Sequence, residues 1–178
     1  MKRKMFLSIC IVLLALCGCG KTEAKQIVLD TYNDYVEMYG EAWLWAYERA
    51  EDGSVCELEE GVYYKLNDSI TSIEQIKAET EVICTKEFAK REFYDKLLEK
   101  ELPYYLEKDG VVYLQQAEIS GIITGDIKEI HIIENKKDCI QAQLIGENLP
   151  LGDTVTDIVI VKEGDTWKVD KFDDNVAE

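Results

Sequence analysis

A chain of 178 residues with 20 basic and 36 acidic residues carries a formal charge of −16 and has the length of one ordinary domain. That balance disfavours nucleic acid, whose phosphates must be neutralised by Lys and Arg, and it disfavours adhesion to anionic polymers for the same reason. A basic protein partner would be attracted and its arrival accelerated, although the same charge also serves a domain that only needs to stay soluble.

Met1-Lys2-Arg3-Lys4 places three positive charges ahead of an apolar run from Met5 to Cys17, interrupted only by Ser8. A charged start, a short apolar middle and small residues afterwards form the layout of a secretory signal peptide. The run is shorter than the roughly 20 apolar residues that a membrane span requires. It closes on Leu16-Cys17-Gly18-Cys19, which resembles the lipobox of bacterial lipoproteins: an aliphatic residue, two small residues, then the cysteine that is lipidated and becomes the new N-terminus. Residues 1–18 are thus expected to be removed and Cys19 to be lipidated, holding the protein on the extracytoplasmic face of the cell membrane. An ordinary secretory signal cleaved nearby is the alternative. A thiol is required because the lipid is attached as a thioether, and stable anchoring takes about two acyl signals. Loss of Lys2, Arg3 and Lys4 leaves 17 basic residues against 36 acidic ones, a formal charge of −19. Residues 20–25 are polar, so 19–25 is expected to be a lipidated tether short enough to keep the domain near the membrane. Residues 26–178 are expected to form a single domain.

From Gln26 to about Ala50 the apolar residues recur at helical spacing in a wide aromatic stripe, with Val28, Tyr32, Tyr35, Met38, Tyr39 and Trp43 on it. Such a stripe needs a large apolar surface, most naturally a sheet. Asp52-Gly53-Ser54 ends the helix, and Gly61 to Leu66 is a short strand. Asn67-Asp68-Ser69 is a turn. Thr71-Ser72-Ile73-Glu74 has the form of a capping box, with Thr71 as cap and Glu74 reaching back. It opens a helix over 72–83, and Thr85 caps a second over 86–101 that Pro103 stops. The period then changes to two. Tyr104–Leu106 and Val111–Leu114 flank an Asp109-Gly110 turn. Gly121–Gly125 is a strand fragment or loop. Ile127–Glu134 and Cys139–Ile145 are paired strands joined at 135–138. Residues 146–153 read as an exposed loop, and Thr154–Lys162 with Trp167–Phe172 makes the last hairpin. Helices first and strands after indicate the α+β class, with N-terminal helices packed on an antiparallel meander that keeps one face wet.

Few residues carry chemistry. His131 is the only histidine and lies on a strand, on the face opposite Ile130 and Ile132, so it is expected to face water. Nothing near it in sequence resembles a nucleophile signature. Cys56, Cys84 and Cys139 are far apart and odd in number, with no CxxC or Cys/His cluster, so no metal site is expected. They allow one disulfide at most, or three free thiols acting as small hydrophobes, which would suit a host living without oxygen. No glycine-rich phosphate loop is present. The spacing of Asp153 and Asp157 is not that of an EF-hand, and carboxylates are too abundant to single out an acid/base pair. No catalytic residue and no cofactor is expected, and binding is the default role.

Tyr63-Tyr64-Lys65-Leu66, Ser72-Ile73-Glu74-Gln75-Ile76, Thr85-Lys86-Glu87-Phe88-Ala89, Asp109-Gly110-Val111-Val112-Tyr113, Ala117-Glu118-Ile119-Ser120-Gly121 and the closing Glu163-Gly164-Asp165-Thr166-Trp167-Lys168-Val169 hairpin together resemble the IseA-type DL-endopeptidase inhibitor family over roughly residues 27–172. The terminal Trp strand is shared with cystatin-like and NTF2-like exported domains. The resemblance implies an exported protein of mixed helix-and-sheet fold; separately, a monomer is expected. It would inhibit NlpC-type cysteine peptidases that cut the D-Glu–diaminopimelate bond of peptidoglycan, and so restrain wall autolysis. The implied mechanism is occlusion of the peptidase Cys–His site by an acidic loop. The matching positions are Asp109 and Glu118; Glu118 stands where many relatives carry Asp, which alters the fine geometry but keeps the charge. For Asp109 the alternative is turn chemistry alone, since backbone shape favours Asp-Gly there. The other functional class left open is a ligand-binding or scaffolding lipoprotein of cystatin-like or NTF2-like fold, with a pocket under the aromatic helix.

Overall fold

The computed structural model describes the backbone of residues 2–43, 50, 53–58, 61–99, 101, 103–115, 126–148 and 152–176, and side chains within those ranges from residue 20 on, except at 41–43, 126, 147–148, 152–154 and 174–176. The fold is α+β: helix α1 (Lys2–Trp43), then two antiparallel four-stranded sheets with short helices inserted in the first. The chain gathers into two compact units. One contains residues up to Tyr32, Gly125–Trp167 and Lys171–Glu178; the other contains Asn33–Thr124 and Lys168–Asp170.

In the first unit, strands β5 (Asp126–Lys136), β6 (Cys139–Asn148), β7 (Gly152–Glu163) and β8 (Thr166–Val176) lie in that order. Antiparallel register places Ile130, Leu144 and Thr156 in one row and Ile132, Ala142 and Ile158 in the next, with Ile140 beside Ile160. Ile140, Leu144, Ile158 and Ile160 are buried completely or almost so, and each contributes roughly 1.5–3 kcal/mol by leaving water. The alternate row of His131, Gln143 and Asp157 points the other way and stays exposed or half-buried. This is the one-face-wet pattern that period-two alternation predicts. Ala24, Val28 and Tyr32 on α1 recur every four residues and are buried, and the Tyr32 ring stacks on Phe172 with centroids 6.2 Å apart.

Three expectations change here. Residues 20–25 are helical and continuous with α1, and Ala24 is 2% exposed, so the expected polar tether is a packed helical turn. Its polar residues occupy the outward positions of that turn, where helix and tether look alike in composition. The exposed loop expected over 146–153 is mostly strand: β6 runs to Asn148 and β7 starts at Gly152, with these two paired. Register carried by the long aliphatic rows outweighs the local turn residues. The turn expected over 135–138 tightens to Lys137-Asp138.

In the second unit, strands β1 (Val55–Leu58), β2 (Gly61–Lys65), β3 (Tyr105–Lys108) and β4 (Val111–Gln115) form a sheet in the order β1-β2-β4-β3. The single meander expected from sequence is therefore two sheets. Strand β1 went unseen because Val55-Cys56-Glu57-Leu58 is short and unpatterned; it exists by pairing with β2. Helix α2 (Ile73–Ile83) is capped by Ser72, not Thr71: Ser72 Oγ accepts from Gln75 N at 3.1 Å, and the residue that reaches back is Gln75, whose Oε1 accepts from Thr71 N at 3.0 Å. The cap thus sits one residue later than expected, and the side chain that reaches back bonds the residue before the cap instead of the cap itself.

Thr85 does cap α3 (Lys86–Ala89), accepting from Phe88 N. The expected regular helix to 101 instead widens into a π-helix over Lys90–Leu98, closed by Glu99 N donating to Tyr94 O, five residues back. Wider winding brings residues five apart onto one face. Phe88 and Phe93, and likewise Ala89 and Tyr94, are all buried. Tyr35 and Tyr39 of α1 continue this aromatic layer, Tyr35 edge-on to Phe88 and Tyr39 5.7 Å from Phe93. Residues 168–170 of β8 also belong to this unit: Val169 bridges Cys84, Thr85 Oγ1 donates to Asp170 Oδ1 at 2.8 Å, and Lys168 Nζ donates to Glu81 O at 2.7 Å.

Candidate functional site

The β3–β4 hairpin supplies an exposed acidic turn. Asp109 and Gly110 both adopt positive φ, 54° and 75°. This is the backbone of a two-residue type I′ turn, which Asp-Gly accommodates at little steric cost. Both residues are exposed, as are Glu107 and Lys108 before them.

The turn stands on a firm base. Val112 and Leu114 of β4 and Tyr105 of β3 are each 2% exposed or less. Leu114 pairs across the sheet with Tyr105 on one side and Tyr64 on the other. Tyr63 is fully buried, and its hydroxyl donates to Pro103 O at 3.0 Å, tying the start of the hairpin to β2. Glu107 Oε2 accepts from Ile73 N at 2.9 Å, placing a carboxylate on an unsatisfied donor at the N-terminus of α2, a position where negative charge is favoured. Lys108 Nζ lies 3.9 Å from Cys56 Sγ. With Glu107 and Lys108 engaged, Asp109 is the carboxylate presented at the tip.

Of the other residues singled out from sequence, Glu118 lies outside the described residues. Cys19 lies within α1, and its side chain is outside those described. Glu107 was not foreseen; its only signal was a place on a hairpin arm, and its role depends on α2 arriving beside it. His131 is exposed on β5, where its Nε2 lies 2.8 Å from Glu129 Oε1. Cys56, Cys84 and Cys139 are free thiols. Burial pushes the Cys84 thiol up to about 12, against a lesser opposing pull from Lys168, which suits a packing residue and not a nucleophile. Burial, with a smaller contribution from Tyr39, pushes the Tyr104 phenol up to about 12.

Among the described residues, no group of three His, Cys, Asp or Glu is placed to hold a metal ion. No described helix is long and apolar enough to cross a membrane. What the hairpin can do chemically is present one carboxylate on a rigid, narrow projection. Neither a protein-family model nor a curated protein matches this chain.

Proposed function

We propose that this protein is a lipid-anchored inhibitor of peptidoglycan DL-endopeptidases of the NlpC type, held at the extracytoplasmic face of the membrane by Cys19, and that it restrains cell-wall autolysis. The observation that carries the reading is the Asp109-Gly110 tip, an exposed acidic turn in positive-φ backbone on a base of buried side chains. A rigid projection enters a cleft without first losing loop entropy. Its carboxylate suits a cleft that holds a histidine and polar donors, and Glu118 is the proposed second contact. The resemblance to IseA-type inhibitors over residues 27–172 points the same way, as does an acidic surface that would speed encounter with a basic enzyme. No catalytic role falls to His131 or to the cysteines in this reading.

The competing reading is a small-ligand carrier with a pocket under the aromatic helix. The described part of that stripe favours the inhibitor instead: Tyr32, Tyr35 and Met38 are 6–8% exposed, and the rings of Tyr35 and Tyr39 are packed against Phe88 and Phe93.

The test is hydrolysis of purified peptidoglycan by a DL-endopeptidase with and without the mature domain. Slower hydrolysis and a complex on gel filtration are expected. Unchanged hydrolysis at excess domain, with no complex, would overturn the proposal.

A further inference from the structure

The structure places the expected lipid attachment point against one particular end of the β5–β8 sheet. Gly20, the residue after Cys19, has its carbonyl 3.4 Å from the side-chain amide of Asn135, at the end of β5. Four residues later Ala24 is buried, and Val28 is completely so. The chain is therefore packed almost from the expected attachment point onward. The two turns of that sheet end lie together: Lys162 N donates to Asp138 O at 3.0 Å, and Cys139 pairs with Val161. Three segments meet there, namely residues 20–25, the Lys137-Asp138 turn and the Gly164-Asp165 turn.

Their charge differs from that of the remainder. With the strand ends at 134–136 and 162–163, the three segments carry five lysines, Lys21, Lys25, Lys136, Lys137 and Lys162, all exposed. Five carboxylates accompany them: Glu23, Glu134, Asp138, Glu163 and Asp165. Lys136 pairs with Glu134 at 2.8 Å. This end is thus neutral, and the other 12 basic and 31 acidic residues of the mature chain hold its entire charge of −19. An anionic surface repels a body so charged, except where the charge is balanced, and the lysine stems are long enough to reach beyond the shorter carboxylates.

We infer that this sheet end is a membrane-facing surface, on which Lys136 and Lys137, with Lys21 and Lys25, meet the phosphates of lipid head groups. The inference rests on the anchoring of Cys19 proposed above. A lysine near an anionic bilayer surface favours that placement by roughly fivefold, and acyl chains on the neighbouring residue hold the lysines within that range. The rigid turn replaces a flexible leash, so the anchor sets the orientation of this unit as well as its location.

The test uses the acylated protein reconstituted in vesicles of phosphatidylglycerol and phosphatidylethanolamine, with amide hydrogen exchange read by mass spectrometry. Exchange at 135–138 and 163–166 is expected to be roughly fivefold slower relative to the Asp109-Gly110 turn of the same molecule than in a Lys136→Glu, Lys137→Glu variant. Unchanged exchange in the core of β6 and β7 shows that the variant is folded. Equal exchange at those turns in both proteins, while both sediment with the vesicles and carry acyl chains on Cys19 by mass, overturns the inference and leaves the anchor standing. A Cys19 without acyl mass, in a protein that stays in the supernatant, overturns both.

Discussion

The two sheets solve the same problem with different materials. The β5–β8 sheet uses strands of 10 to 12 residues and an aliphatic interior of Ile, Leu and Ala. The β1–β4 sheet uses strands of four or five residues and buries tyrosines, Tyr63 and Tyr105, whose hydroxyls need partners. Long strands carry their register in their own alternation. Short strands borrow theirs from helix caps, turn conformation and side-chain links such as Glu107 to Ile73 N. One sheet is therefore specified mainly by pattern, and the other mainly by polar contacts between elements distant in sequence.

Substitutions should separate these two modes. The largest effect is expected for Ile158→Ala, which empties a fully buried site in the centre of the long sheet and should cost about 2–5 kcal/mol in chemical denaturation. A loss below 1 kcal/mol would mean that the aliphatic rows are not the main support of that sheet. A smaller loss is expected for Thr85→Ala. It removes both the cap to Phe88 N and the bond to Asp170 Oδ1, at about 1–2 kcal/mol. Because both bonds use the one hydroxyl, restoring it with Thr85→Ser should recover most of the loss; no recovery would point to the Thr85 methyl group instead.

Cys84 gives the second unit a pH signature. Its thiol is neutral in the fold, with burial holding its pKa at about 12 against an ordinary value of 9.0. The unfolded chain therefore releases this proton first as pH rises. The thiol's contribution to stability is complete below about 9 and declines as pH climbs towards about 12. Denaturation midpoints should fall more steeply across that window for the native chain than for Cys84→Ala. In the native protein a thiol reagent should modify Cys56 and Cys139 well before Cys84, which is completely buried. Equal rates would contradict that burial.

The smallest effect on stability, and the most informative for function, is expected for Asp109→Asn. Asparagine tolerates the positive φ of the turn as aspartate does, so folding should change by less than about 0.5 kcal/mol. The charge alone is lost, and inhibition of a DL-endopeptidase should weaken by roughly tenfold or more if that carboxylate is desolvated in the cleft. Full inhibition by Asp109→Asn would leave Asp109 as turn chemistry and move the contact elsewhere.

Much of this architecture was legible because its signals are local. Period-two alternation located β4, β5, β6, β7 and β8, Asp109-Gly110 marked its hairpin, and Thr85 marked its cap. The misreadings share one cause. Ser72 displaced Thr71 as cap because the carboxylate of Glu107 settles where α2 begins. The π-helix replaced a regular one because Phe88 and Phe93 must share one buried face. The loop expected around Asn148 and Gly152 became strand because neighbouring rows extended the pairing. Residues 20–25 became helix because Ala24 has a buried position to fill.

For the candidate site the division is similar. Sequence by itself determined the fold class, the acidic charge, the turn at Asp109 and the wet face that carries His131, since each follows from residue type and spacing within a few positions. Only the tertiary structure decided that Asp109 stands on a base tied to α2 and β2, that Cys84 is sealed from solvent, and that the residue after Cys19 abuts a sheet end of balanced charge. Those properties depend on which distant segments meet, and burial and electrostatics act through space, not along the chain.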